Sequence, residues 1–335
     1  MIAYVEFVNQ NFPAEEHLFA LSAEADHQMP STSNLLDLSQ ISRWKAYWLK
    51  TKAMYSAEKV ILHGLFDPRL FIVLAFQPWL LSTCYWTIWG GDLYDHQLGK
   101  KTGKWYMREF LKKRIVKRLG HIITHIEGDY QLAQLWYGAS AKWHDCFMYP
   151  SNLYQDYQLE VTPHDGINIL LGNSATPSNN HLEALERLKP FASENIYIYC
   201  PLSYGDVDYA KDVEDFGKML FGERFVALKQ FMASDKYLDL LAQIDIAIFN
   251  HNRQQGLGNI TALLGLGKAV YVSKKITSWQ AMTRLGLKMF EAEDFGEILR
   301  VNRNEKDGIK SNIEIVKKSF SEKELKNKLS GIFNQ

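Results

Sequence analysis

The stretch DIAIFNHNRQQGLGNITALLGLGKAVYVS, Asp245–Ser273, decides the fold. The apolar run Ile246–Phe249 reads as a buried strand. A polar loop follows, Asn250-His251-Asn252-Arg253-Gln254-Gln255, and it ends in Gly256-Leu257-Gly258. Ile260–Leu266 then has the apolar pattern of a short helix, Gly267 stops it, and Ala269–Val272 reads as the next strand. Strand, glycine-bearing loop, helix and strand in that order place free backbone N–H groups and the positive end of a helix dipole at a strand's carboxyl end. A diphosphate suits such a place. Arg253 and the amide side chains Gln254 and Gln255 add donors for phosphate oxygens and hydroxyls.

Working outward, short apolar runs recur with helical patterns between them. Strands are expected at Ala3–Val8, Lys59–His63, Cys84–Trp89, Ile122–Thr124 and Cys146–Tyr149. A second set is expected at Asn168–Leu171, Ile196–Cys200, Phe225–Leu228, Ile244–Phe249 and Val270–Ser273. This alternation indicates βαβ units and parallel sheets. Two runs of strands imply two Rossmann-like, doubly wound α/β domains facing across a cleft, with ligands at the strands' carboxyl ends. The expected N-terminal domain is 1–155 and the C-terminal one 165–300, and 301–335 form helices that can pack back on the first. The turn-rich stretch Pro150–Asp165 marks the boundary.

Composition bounds the function. The chain has 335 residues, 47% of them hydrophobic, and a formal net charge of zero, which argues against a general nucleic-acid binder. Cys84, Cys146 and Cys200 lack metal-ligand spacing and fit a reduced, cytoplasmic protein. The first residues, MIAYVEFVNQNF, lack a signal peptide's basic start. Leu70–Gly91 carries no charged residue and is long enough to cross a bilayer. Gln77 and Pro78 interrupt it, so it reads as a buried helix followed by a buried strand.

Four further groups could carry chemistry. In WTIWGGDLYD (Trp86–Asp95), the glycines present Asp92 at a strand end. The carboxylate there is either a general base or sugar ligand, or the cap of the next helix. His63-Gly64 ends the preceding strand, and a lone histidine there is either structural or a partner to Asp92. Gly172-Asn173-Ser174, followed by Pro177–His181, repeats the strand–turn–helix pattern of the opening stretch. Asp206-Val207-Asp208, after Tyr204-Gly205, could hold a divalent metal but reads better as solvated loop acids. Finally, Lys100–Arg118 holds nine basic residues and one acid with interleaved aromatics. That pattern fits a basic surface helix, an anionic lipid surface or a polyanionic substrate.

Several of these segments agree on one family. HGLFDPRLF (63–71), WTIWGGDLYD (86–95), LLGNS (170–174), SNNHLEAL (178–185) and NRQQGLG (252–258) resemble the bacterial 4-acetamido-4,6-dideoxy-D-galactose (Fuc4NAc) transferases of enterobacterial common antigen assembly. These form glycosyltransferase family 56. The resemblance runs in order over residues 60–280, and the first 55 or so residues, Gly91 and Asn259 depart from it. It implies a GT-B glycosyltransferase using a dTDP-activated amino-deoxysugar and an undecaprenyl-pyrophosphate-linked acceptor. Such an enzyme works without a bound metal or cofactor, peripheral on the cytoplasmic face of the inner membrane.

Asp92 is the candidate base for the acceptor hydroxyl, with His63 second; the resemblance puts their turns, with Gly64, Gly90 and Gly91, on the acceptor side, and Tyr94 joins them there. The donor site draws on Gly172, Asn173, Ser174, Asn179, His181, Tyr204, Asn250, Arg253, Gln254, Gln255, Gly256, Gly258 and Asn259. Lys104, Arg108, Lys112, Lys113 and Arg114 would meet the membrane or a pyrophosphate. The partners implied are a nucleotide-diphospho-sugar donor, a lipid-linked saccharide acceptor and an anionic membrane surface, with no nucleic acid. A related O-antigen or capsule enzyme, a non-catalytic sugar-nucleotide or glycan binder, and a two-domain sugar-nucleotide epimerase are the alternatives.

Overall fold

The computed structural model describes residues 1–22, 32–155, 162–294 and 306–334. Parts of the expected boundary stretch Pro150–Asp165 and of 301–335 lie outside them. The chain divides into two compact units, Met1–Ser151 with Leu325–Gln335, and Asn152–Glu324.

The first unit is built on four parallel strands, β3 (Val60–His63), β4 (Cys84–Thr87), β5 (His121–Ile123) and β6 (Lys142–His144), ordered β3-β4-β5-β6. A separate parallel pair joins β1 (Phe19–Leu21) to β2 (Leu35–Asp37). The helices are α1 (Ile2–Asn11), α2 (Arg43–Ser56), α3 (Pro68–Phe76), α4 (Gly91–Leu98), α5 (Gly103–Val116) and α6 (Glu127–Tyr137).

Two sequence expectations are corrected here. Ala3–Val8 is part of helix α1, which buries Tyr4, Val5, Phe7 and Val8. Their i, i+3, i+4 spacing is that of a helix face, not of a strand. Cys146–Tyr149 is not a strand, because Met148 has φ 62, outside the extended region. The edge strand is Lys142–His144 instead. The uncharged stretch Leu70–Gly91 folds as helix α3, a 3₁₀ turn over Pro78–Thr83 and strand β4, whose four residues are all buried. Among the described residues no helix is long and apolar enough to cross a membrane.

The second unit holds β7 (Ile167–Leu171), β8 (Ile196–Pro201), β9 (Phe225–Leu228), β10 (Ile246–Phe249), β11 (Ala269–Val272) and β12 (Phe290–Glu291), all parallel. Its helices are α7 (His181–Leu188), α8 (Val207–Phe221), α9 (Ser234–Ala242), α10 (Leu257–Gly265), α11 (Thr277–Arg284) and α12 (Lys306–Ser319). A last helix, α13 (Glu322–Phe333), runs on into the first unit. The strand order is β12-β11-β10-β7-β8-β9. From β7 the chain winds outward through β8 and β9, then returns to the other flank of β7 and winds out again. The reversal falls between β7 and β10, which makes their carboxyl ends the topological switch point where open α/β sheets bind ligands. Strands β7, β10 and β11 are buried almost throughout, as parallel strands covered on both faces must be.

Candidate active site

At the switch point two loops are stitched together. The Gly172 N–H donates to the Ile248 carbonyl (2.9 Å), and the Asn252 N–H to the Ser178 carbonyl (2.8 Å). The Ser178 hydroxyl donates to Gln255 Oε1 (2.7 Å). Asn179, 1% exposed, is the hub. Its Oδ1 accepts from the Asn173 N–H (2.9 Å) and from His251 Nε2 (3.0 Å), and its Nδ2 donates to Ser174 Oγ and the Thr176 carbonyl.

Gly172 has φ +71, and a Cβ there would lie 2.3 Å from His181 Nε2 and 2.8 Å from Asn179 Oδ1. No side chain fits, so the chain must be glycine to pass between these two residues. Gly256, in the left-handed region, caps α10, and Gly258 and Asn259 lie in that helix's first turn. Asn259 is anchored to the Tyr237 hydroxyl (3.0 Å). The helix start therefore points its unsatisfied N–H groups at the switch point with no side-chain cap.

Three buried polar atoms in these two loops and at the start of α7 have no hydrogen-bond partner among the described residues: Asn173 Oδ1, His181 Nε2 and Gln255 Nε2. Leaving one buried polar group unpaired costs about 1–3 kcal/mol. Three in one place are groups that a polar ligand could pair. Burial lowers His181 to about 4, and burial, then the neighbouring His181 ring and the Arg253 guanidinium, holds His251 well below the ordinary histidine value. Both rings are neutral at pH 7.

The sequence-derived donor residues thus separate by role. Gly172, Asn173, Ser174, Gln254, Gln255, Gly256 and the α10 start form the cradle, with Arg253 in the same loop, its guanidinium donating to the Gln254 carbonyl (2.9 Å). Tyr204, 57% exposed, accepts from Asn173 Nδ2 (3.0 Å). His181 is fully buried beneath the cradle, and Asn250 is buried with its amide on the Asn180 carbonyl. His251 was not singled out from the sequence, although it stands in the quoted loop. Asp206 caps α8, accepting from the Asp208 and Tyr209 N–H groups. Among the described residues no group of three His, Cys, Asp or Glu side chains could hold a metal ion.

In the first unit the corresponding strand ends carry His63 on β3 and the β4–α4 turn. Asp92 is 2% exposed. Its Oδ2 accepts from the Leu65 N–H (2.9 Å) and Trp86 Nε1 (2.7 Å), and its Oδ1 from the Trp89 and Leu93 N–H groups (3.0 Å each). Four donors fill the four acceptor positions of a carboxylate. The geometry is that of a clamp joining the β3–α3 turn, β4 and α4, with Gly64, Gly90 and Gly91 in the turns it fastens.

His63 Nδ1 lies 2.7 Å from the Tyr149 hydroxyl, which also accepts from Trp89 Nε1 (2.6 Å). Desolvation, then the N-terminal amine, lowers His63 to about 4. Tyr4 packs edge-on against its ring, centroids 4.9 Å apart.

Two groups expected at the surface are elsewhere. Tyr94 is a core residue whose hydroxyl donates to Asp129 (3.0 Å), so it cannot touch an acceptor. Lys112 is buried and donates to the Asp92 carbonyl, with the Tyr137 ring 4.9 Å away, so it cannot meet a membrane. Burial lowers its ammonium below the ordinary lysine value. Arg108 is half-buried and paired with Asp95, while Lys104, Lys113 and Arg114 are exposed.

Comparison with known proteins gives these features a context. The family described as 4-alpha-L-fucosyltransferase, glycosyl transferase group 56, matches residues 5–323. Among solved structures, HepE of Anabaena, in complex with UDP and glucose, is similar with a TM-score of 0.70 at 13% identity. The match covers 99% of this chain and 95% of that one. WaaG, a glycosyltransferase involved in lipopolysaccharide biosynthesis, gives 0.66 at 11% identity over the same shares, 99% and 95%. Sucrose-phosphate synthase from Thermosynechococcus elongatus gives 0.67 at 11%, covering 89% and 80%. The likeness is one of fold, and that fold is GT-B.

Proposed function

The chain belongs to the family described as 4-alpha-L-fucosyltransferase, glycosyl transferase group 56, and is a glycosyltransferase; from that premise we propose that it moves a Fuc4NAc-like amino-deoxysugar from a dTDP-sugar to an undecaprenyl-pyrophosphate-linked saccharide in surface polysaccharide assembly. The observation that carries the donor half is the stitched switch-point cradle with its three unpartnered buried polar atoms. The UDP and glucose bound by the similarly folded HepE support a nucleotide-sugar there.

In this reading the acceptor hydroxyl oxygen attacks the anomeric carbon as the bond from that carbon to the diphosphate oxygen breaks. The electron pair leaves on the diphosphate. Arg253 and the uncapped start of α10 meet the charge that builds there, and donors fixed in advance cost no reorganisation as the bond breaks. Protein groups then do the work a bound metal would do, and no metal or cofactor is required. The hydroxyl proton goes to His63, neutral and at a strand end, and Asp92 positions the turn beside it.

A lipid-linked acceptor places the enzyme at an anionic membrane surface. In support, α5 exposes Lys104, Lys113 and Arg114 beside Tyr106, Met107 and Phe110, and α2 exposes Trp44 and Trp48 among lysines. Mixed aromatic and cationic faces of this kind suit a headgroup interface.

The donor half is tested by thermal unfolding with a panel of dTDP- and UDP-sugars. A ligand present at a hundred times its Kd adds about 2.7 kcal/mol to native stability. A panel in which no nucleotide-sugar raises the midpoint of the folded protein would sink the reading.

A further inference from the structure

The first unit contains a cavity of about 250 Å³ that the donor reading leaves unused. It is lined by Phe66, Gly91, Asp92, Asp95, Arg108 and Lys112, together with Leu65. Arg108 and Lys112 stand one turn apart on α5 and so share a face. That face meets Asp92 and Asp95 on α4. Arg108 pairs with Asp95 Oδ2, which also accepts from Trp105 Nε1 (3.1 Å), and Lys112 donates to the Asp92 carbonyl.

Two cations and two carboxylates cancel. A diphosphate entering here would find as many negative neighbours as positive ones, so the lining does not select a polyanion. It does hold donors and acceptors side by side, which is what hydroxyls need, since each hydroxyl both gives and accepts. The guanidinium fork keeps further N–H groups beyond the one on Asp95, held in a fixed plane.

Over one edge lies the Phe66 ring, 52% exposed and held edge-on by Trp89 at 6.1 Å. A Cβ on Gly91 would lie 3.7 Å from that ring, so the aromatic covers bare backbone at the cavity's rim. The size also matters. Pockets for drug-sized ligands run from about 300 to 1,000 Å³, and this one is smaller, fit for one sugar ring.

We propose that this cavity is a subsite for a single uncharged hexose unit, with the Asp95–Arg108 pair bonding its hydroxyls and Phe66 covering its apolar face. Taking that hexose to be part of the acceptor rests on the glycosyl transfer proposed above; the binding of the hexose does not. The site separates the cations of α5 into two groups. Arg108 reads sugar with Lys112 buried behind it on the Asp92 carbonyl, and Lys104, Lys113 and Arg114 face outward.

The test is saturation-transfer NMR on the full chain with D-glucose and N-acetyl-D-glucosamine as probes. At least one hexose is expected to give signals that fall more than fivefold in Phe66→Ala and in Arg108→Gln, and that persist in Asn173→Ala. Phe66 is half-exposed and outside the core, so its removal leaves the fold intact. Signals that survive both substitutions, or that inorganic pyrophosphate abolishes in the wild type, overturn the subsite. Thermal stabilisation by a nucleotide-sugar reads the donor half separately. It stays at the wild-type level in Phe66→Ala if the subsite serves the acceptor. A wild type that no nucleotide-sugar stabilises defeats the transfer reading and leaves the hexose result standing.

Discussion

At the scale of single residues, Asp92 is a buried carboxylate at a strand end with all four acceptor positions filled. Its place at the strand end is legible in the sequence. Its four N–H donors are not, because they come from Leu65, Trp86, Trp89 and Leu93, and only folding brings Leu65 beside it. The prediction for Asp92→Asn follows from this saturation. The amide Nδ2 would face N–H donors, and two buried donors left unpaired cost about 2–6 kcal/mol. Chemical denaturation should record that loss. A variant of wild-type stability with its turnover abolished would return Asp92 to the role of base. For His63→Gln the expectation is the reverse: native stability near wild type and kcat reduced about 10²–10⁴-fold, the usual range for a lost proton acceptor. Steady-state kinetics beside a denaturation curve separates the two. In the second unit, Gly172→Ala should abolish donor-induced stabilisation, since its Cβ would occupy the space of His181 Nε2 at an unfavourable φ.

Among elements, parallel strands were the easiest to read, because burial on both faces writes them as continuous apolar runs. The runs at Ile246–Phe249 and Phe225–Leu228 became β10 and β9. A short edge strand such as β6 carries little signal beside the neighbouring apolar run Cys146–Tyr149. The apolar cluster of α1 matches a strand's run over a few residues, and the helical period shows only over its full length. The basic segment around α5 was legible as a cationic helix. Which of its cations turn inward depends on α4, the helix bearing their partners Asp95 and Asp92. Replacing Lys104, Lys113 and Arg114 together by alanine should lower the partition onto vesicles rich in anionic lipid by about a hundredfold, at about 1 kcal/mol per basic residue near such a surface. Sedimentation with vesicles measures it, and raised salt should reproduce part of the loss. Unchanged sedimentation would remove α5 from the membrane face.

For the whole molecule, neutral buried histidines set a shared acid sensitivity. His144 in the first unit and His181 in the second are both lowered to about 4, chiefly by burial. Their unfolded value is about 6.5. The unfolded chain therefore takes up protons first as pH falls. The stability these rings contribute is fully present above about 6.5 and lost as pH falls through that value toward 4. Two such groups give a slope of roughly 2–3 kcal/mol per pH unit in that window. Urea midpoints at pH 7 and pH 5 should show a marked drop, smaller in His181→Gln. A flat response would mean these rings are protonated in the native state. The sequence by itself determined the α/β class, the parallel strands, the glycine-bearing loop at Arg253–Gly258 and the resemblance to one glycosyltransferase family, because periodicity, turn chemistry and local motifs are written over neighbouring residues. Only the tertiary structure decided that β7 and β10 adjoin at the switch point, that Asn179 ties His251 to Asn173, that Asp92 is a clamp, and that Arg108 and Lys112 line a cavity. Each of these joins residues that the chain keeps apart, and which distant groups meet is settled by how the strands pair and the helices pack, not by their spacing along the sequence.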